Sequence, residues 1–320
     1  MQRPSLTPER LMQPVENFQA FYNTTLRPKL KEIDSQRQAI VDKIKLYGAV
    51  GIGGGIVLLF FNAGMFPLII VGAGLYFFYQ HHAKAFRETY KQNVIRTMIT
   101  AAGLTYDHNS RIQQSEYERS KLFLKKINRY YGDDYVSGIV GKTAIRFSEV
   151  FTQYEQNNGD EKTLETIFRG ILFIADFNKK FEGETIVLPD VSERALGGFG
   201  SFLQSLNYAR PQLVKLEDPD FEKNFVVYGT DQVEARYILS PALMQRIVEF
   251  KTKTSARVSL SFIDSHVYIA IPINKNLFEA PSLFKSIDNY KQLSEYNGYI
   301  QMCVNIVELL DLNTRIWSKE

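Results

Sequence analysis

"LYGAVGIGGGIVLLFFNAGMFPLIIVGAGLYFFY", residues 46–79, carries no charged side chain over 34 positions. As one helix it would reach about 50 Å at roughly 1.5 Å per residue, far more than the ~30 Å of a bilayer's hydrocarbon core. Its middle supplies a turn. Asn62 and Gly64 favour one, and Pro67 is ill-suited to a helix interior. Two short arms remain, 46–61 and 68–79, which predict a transmembrane helical hairpin.

Charge orients that hairpin. Lys43 and Lys45 precede the run, Lys84 and Arg87 follow it, and the turn has no cation. The basic excess on cytosolic flanks then places both termini in the cytosol, with these four residues at the membrane surface. The wider balance agrees, with 12 Lys and Arg against 6 Asp and Glu in residues 1–102, which leaves 26 against 29 in the rest. A basic segment around an apolar run suits a lipid surface. Nucleic acid would call for a basic face on the folded domain, so no nucleic-acid partner is expected. The run starts too far from Met1 for a secretory signal peptide.

Small residues give the arms a packing mode. Gly48, Gly51 and Gly55 on the first arm, and Gly72 and Gly74 on the second, let helix backbones approach in lipid, where burial of apolar surface gives no drive. The same spacing would serve a homo-oligomer. Outside the membrane, Ile33, Ile40, Ile44 and Tyr47 mark one amphipathic helix, and Phe86, Tyr90, Val94 and Met98 another. A kink or a fresh helix start is expected near Pro28. The chain is thereby divided into an amphipathic segment (1–45), the hairpin (46–80), a post-membrane helix (81–103) and a cytosolic α+β domain (104–320).

In that domain, residues 115–130 read as a helix with Tyr117, Leu122 and Ile127 buried. "TAIRFSEVFTQYEQ" and "KTLETIFRGILFIADF" flank Asn157-Asn158-Gly159-Asp160, a strong hairpin signal. "GETIVLPD" makes a further strand, and "RVSLSFI" and "HVYIAI" make a second hairpin at Asp264-Ser265. Asp231 with Glu234 reads as a capping box, and Ser240 before Pro241 as an N-cap. "SERALGGFGSFLQSLNYARP" reads as a glycine-punctuated insertion, and "YKQLSEYNGYIQMCVNIVELLDL" as a final amphipathic helix. Few parallel-crossover signals are present, so a mainly antiparallel sheet with packed helices is predicted.

Catalytic signals fail one by one. "GIVGKTAI" (138–145) lacks the first glycine of a phosphate-binding loop, since Val136 stands there, and it leads into a strand. "GGFG" (197–200) has no preceding strand. His81 and His82 fit the membrane edge, and His108 and His266 form no ligand-spaced cluster. The lone Cys303 excludes an intramolecular disulfide and a cysteine zinc cage, and its apolar neighbours predict a buried thiol. No catalytic residue, metal ligand or cofactor is expected. Acidic "LEDPDFEK" (216–223) reads as a solvated loop.

"GDDYVSGIVGKTAIRFSEV", "TIFRGILFIADFNKKFEGETIVLPD", "LVKLEDPDFEKNFVVYGTDQVEARYILSPALMQRIVEF" and "LDLNTRIWSKE" together resemble a bacterial family catalogued as domain of unknown function 3137, whose members are sometimes labelled galanin. The resemblance runs loosely from Phe86 to the C-terminus, and an N-terminal hairpin is also typical. It implies a bacterial membrane protein and supplies no catalytic residue; with the cytosolic flanks read from charge, the expected location is the bacterial cytoplasmic (inner) membrane. Three functions follow from these readings. The first is a non-enzymatic membrane-anchored adaptor or scaffold with a protein partner. The second is a lipid- or small-ligand-binding module held at the bilayer. An enzyme built from scattered carboxylates comes third.

Overall fold

A computed structural model describes residues 18–60, 65–158, 161–190 and 210–313. It divides into a helical unit, within Pro14–Met98 and Phe278–Tyr296, and a sheet unit, within Ile99–Leu277 and Asn297–Glu320. The class is α+β: two long helices, then a nine-stranded antiparallel sheet.

In the helical unit a short helical stretch, Phe18–Phe21, passes through a π-helical turn, Tyr22–Leu26, into α1 (Arg27–Phe60). The turn meets Pro28 where a kink was expected. The Arg27 N–H bonds back to the Tyr22 carbonyl, and this wider coil lies just ahead of a residue that cannot donate. α2 (Phe66–Tyr90) returns through a second π-helical turn, Lys91–Ile95, to α3 (Arg96–Ala101). The expected stripe of Phe86, Tyr90, Val94 and Met98 is buried, as are Leu26, Leu30 and Ile33 on α1 and its approach. Leu283 and Ile287, from the segment that joins this unit late in the chain, are buried too. The polar ties are Lys29 Nζ to Thr97 Oγ1 (2.8 Å), Arg37 Nη1 to the Leu283 carbonyl (2.6 Å), and the Tyr22 hydroxyl to Asp288.

Farther along the hairpin this core stops. Between Val41 and Ala83, Gly55 alone is buried among the described residues. No helix, over the described residues, is long and apolar enough to cross a membrane. The expectation of two spanning arms is corrected to that extent. From Leu46 to Phe60 the apolar part of α1 rises only about 21 Å, and its glycines add length without hydrophobicity. The turn residues Asn62 and Gly64 lie outside the described residues, whereas Pro67 is the second residue of α2, where a missing N–H costs nothing.

The sheet runs β1 (Thr105–Asp107), β2 (Arg129–Val140), β3 (Thr143–Asn158), β4 (Glu161–Asp176), β9 (His266–Pro272), β8 (Ser259–Ile263), β5 (Thr185–Pro189), β7 (Phe225–Gly229) and β6 (Gln212–Val214), in spatial order. Both expected hairpins are present. β3 pairs with β4 from Ile145↔Ala175 to Asn158↔Glu161, and β8 with β9 from Ser259↔Ala270 to Ile263↔His266. Along β9, Val267, Tyr268, Ile269, Ala270 and Ile271 are all buried, so both faces are covered.

One face is covered by the segment before β2. Its helix, α4 (Gln114–Arg119), is far shorter than the predicted 115–130, because Lys121 turns into the left-handed region at φ 54° and Tyr130 already belongs to β2. Tyr117 and Leu122 still reach the core with Ile112, Phe168, Leu172 and Tyr268, and Ile127 packs against it. Buried strand hydroxyls pin this cover. Ser148 Oγ accepts from Ile112 N–H (3.0 Å), Thr152 Oγ1 meets the Tyr117 hydroxyl (3.0 Å), and Ser261 Oγ donates to the Ser120 carbonyl (2.6 Å). Each contributes about 1 kcal/mol.

Three further helices belong to the sheet unit in whole: α5 (Pro219–Glu222), α6 (Gln232–Ile238) and α7 (Pro241–Thr254). Asp231 caps α6 through Val233 N–H and Glu234 N–H, but Glu234 does not close a box. Its carboxylate accepts from Glu182 N–H and Gly183 N–H instead. Ser240 caps α7 at Leu243 N–H, with Pro241 next, as the sequence implied. The last helix, α8, spans Tyr290–Leu309 and buries Cys303, whose thiol burial pushes upward in pKa. The predicted insertion falls almost wholly on residues 191–209, outside the described residues.

Candidate functional site

The helical hairpin concentrates what is unusual about the surface. Thirteen of the nineteen large apolar side chains exposed among the described residues lie between Leu46 and Phe77, including Val50, Ile52, Val57, Phe66, Ile69 and Ile70, with Phe77 71% exposed. An apolar patch this continuous marks an interaction surface, whereas scattered exposed leucines would not. The four cations singled out from the sequence, Lys43, Lys45, Lys84 and Arg87, are all exposed and lie on the side of the patch away from the tip.

Glycine positions the two arms, though not all of the five do so. A Cβ on Gly51 would fall 2.6 Å from Val71 Cγ1, one on Gly55 2.3 Å from Leu68 Cδ2, and one on Gly48 an ordinary 3.9 Å from Leu75 Cδ1. Gly72 and Gly74 face open space, as do Gly53 and Gly54. The α1–α2 seam therefore uses one glycine row on α1 and bulky side chains on α2. These contacts set an antiparallel register in which Tyr47 meets Phe78 edge to face, ring centroids 5.4 Å apart.

The sheet unit offers other features. β2 bulges between Asp133 and Val136, where Asp134 adopts φ 58°. That bulge brings carboxylate oxygens of Asp133, Asp134 and Glu149 within 4.8 Å of one another, the group among the described residues that could hold a cation. The Tyr106 hydroxyl donates to Asp134, and Leu277 N–H to Glu149 Oε2 (2.7 Å), so two of the three already accept protein hydrogen bonds. No local pattern marks the trio, because register alone unites β2 with β3.

Two shallow, open depressions adjoin each other nearby. One of about 400 Å³ is lined by Asn109, Arg111, Gln113 and Tyr130, and one of about 380 Å³ by Tyr106, Asp107, Glu116 and Tyr135. Asp107 is held below the usual carboxylate range by the Ser110 hydroxyl and then by Asn109 N–H, which makes it a turn former. Arg210 is 9% exposed, and burial pulls its guanidinium down to about 10. It donates to the Lys121 and Leu122 carbonyls, and so fixes the left-handed turn after α4. The rejected phosphate-loop candidate is the β2–β3 turn. Gly141 sits at φ 64°, and Asn313 Oδ1 accepts from Lys142 N–H (2.8 Å).

No curated protein sequence matches the chain. Its structure is similar to that of the mycobacterial trehalose monomycolate transport factor A, TtfA, with a TM-score of 0.31 and 10% identity over 67% of this chain and 92% of that one. The family described as "Protein of unknown function (DUF3137)" matches residues 166–312, from within β4 to the end of α8 and just beyond. The match is to the family that the sequence resembled.

Proposed function

We propose that this chain is a membrane-anchored adaptor of the bacterial cytoplasmic membrane, with the α1–α2 hairpin as its anchor and the sheet unit presented to a protein partner. The observation that carries the reading is the exposed apolar patch between Leu46 and Phe77, bounded on one side by Lys43, Lys45, Lys84 and Arg87. Water is a poor solvent for such a patch, and lipid with anionic headgroups at the collar is a good one. An apolar reach of about 21 Å fits a hairpin that enters from the cytosolic side and either thins the bilayer or stops within it. The outward faces of Gly53, Gly54, Gly72 and Gly74 would let a second copy approach in the same bilayer. Open polar depressions in the sheet unit suit surface recognition better than enclosure of a reaction.

Reporters fused at Met1 and Glu320 are expected to be cytosolic, and an external signal from either sinks the topology. Native mass spectrometry of the full chain, extracted gently from its membrane, then tests the adaptor. A stoichiometric protein companion supports it. A retained lipid or small molecule in its place moves the assignment to a ligand-binding module.

A further inference from the structure

One of the six exposed large apolar side chains outside 46–77 belongs to the helical unit: Phe284, 57% exposed. Its exposure is built in. The preceding Leu283 is 1% exposed, and its carbonyl accepts from buried Arg37, which Asp34 Oδ1 holds in turn at 2.7 Å. Ser282 closes the turn, its carbonyl accepting from Lys285 N–H (2.9 Å) and its hydroxyl from Phe284 N–H (3.2 Å). The backbone is thus fixed on both sides of a phenyl ring that points outward.

That ring lies flat on Tyr79, centroids 5.8 Å apart and planes within 6°. Tyr79 ends the apolar stretch of α2. By the register of the Gly48–Leu75, Gly51–Val71 and Gly55–Leu68 contacts it stands level with Lys43 and Ile44 of α1. Tyr47, Phe78, Tyr79 and Phe284 therefore form one aromatic band at the cationic end of the apolar patch, level with Lys43 and Lys45, and Lys285 adds another exposed cation beside it. Tyrosine rings and flanking lysines anchor helices at the headgroup level of membranes.

From this we infer that the Ser282–Lys285 turn is a second membrane contact, in which Phe284 enters the headgroup boundary of the bilayer face that the hairpin enters and Lys285 meets anionic headgroups. The inference rests on the anchoring reading. The occupant is lipid because the exposed ring is single, is level with the other aromatics and is flanked by cations. A protein partner would call for a groove or an opposing charge pattern.

The test uses the full chain with its sole tryptophan, Trp317, replaced by Phe, and with one tryptophan introduced by Phe284→Trp, Ile70→Trp or Val233→Trp. Each protein is reconstituted into phosphatidylcholine–phosphatidylglycerol liposomes whose acyl chains are brominated near the headgroup or near the chain end. Emission of the Phe284→Trp protein is expected to fall roughly two-fold with the shallow bromines and much less with the deep ones. Ile70→Trp should respond to deep bromines, and Val233→Trp, on the sheet unit, to neither. If Ile70→Trp is quenched but Phe284→Trp is not, the second contact is refuted and the anchor stands. Quenching of neither overturns both.

Discussion

Gly51 and Gly72 offer a sharp test of how the hairpin is held together, because one substitution at each should have opposite effects. Both sit inside helices, so alanine gains the same helix propensity at either, about 1 kcal/mol over glycine. They differ in what the new methyl meets. At Gly72 there is open space, and at Gly51 Val71 Cγ1 lies 2.6 Å away with Cγ2 at 3.3 Å and Cβ at 3.5 Å. Valine in a helix has essentially one rotamer, so the two methyls cannot swing aside. The helices must then separate by about 1 Å to restore an ordinary carbon–carbon distance. Such overpacking costs about 1–3 kcal/mol.

The propensity gain cancels in the comparison, so Gly51→Ala should be less stable than Gly72→Ala by that full amount. Gly55→Ala should fall between them. The atom nearest its new methyl, Leu68 Cδ2 at 2.3 Å, is the end of a side chain that can rotate. Thermal unfolding of the full chain in phospholipid nanodiscs, followed by the helical circular-dichroism signal, reads the order. Equal stability of Gly51→Ala and Gly72→Ala would refute the assignment of Gly51 to the seam.

Two further outcomes follow from the rest of the structure. At Gly170, with φ 152°, a Cβ would lie 2.1 Å from the Ile271 carbonyl oxygen and 2.8 Å from Ile273 N. Because these are backbone atoms of β9 and of the residue just after it, Gly170→Ala should destabilise the sheet unit by about 3 kcal/mol or more, read as early loss of amide-exchange protection along β4 and β9. The second outcome concerns alkali. Burial raises the phenol pKa values of Tyr90, Tyr117 and Tyr130, and burial followed by the bond to Asp288 pushes Tyr22 up to about 12. The folded state thus holds protons that the unfolded chain releases near pH 10, so this stability is complete below pH 10 and lost as pH rises toward 12. Tyr22→Phe should shallow that alkaline decline in a pH series of melting temperatures, and an unchanged slope would contradict the Tyr22–Asp288 contact.

What could be read from the sequence depended on whether the deciding contacts were local. The β3–β4 and β8–β9 hairpins, the caps at Asp231 and Ser240, and the Phe86–Met98 stripe are set by neighbours a few residues apart, and each stands where the sequence placed it. β2 was missed because "RYYGDDYVSGIV" is rich in turn formers. Two of those have a different cause. A Cβ on Gly132 would lie 2.4 Å from the Glu149 carbonyl oxygen, and one on Gly138 2.6 Å from Leu104 Cδ2, so the glycines mark close approach within a sheet. The helix predicted over 115–130 ran on because nothing in the local pattern announces a left-handed Lys121, which Arg210 fixes from 89 residues away.

The candidate sites divide along the same line. An apolar run bracketed by cations is a local signal, so the hairpin was legible, but which glycines face the seam was not. Gly51 and Gly72 are alike in sequence, and only the pairing of α1 with α2 tells them apart. The carboxylates of Asp133, Asp134 and Glu149 meet through strand register, and Phe284 meets Tyr79 across 205 residues of chain. A fixed, exposed ring beside the aromatic edge of a hairpin gives up burial that a small turn could have reached with serine or glycine. Phenylalanine there makes physical sense if the ring's second face is covered by something apolar, and on the anchoring reading proposed above that surface would be the bilayer.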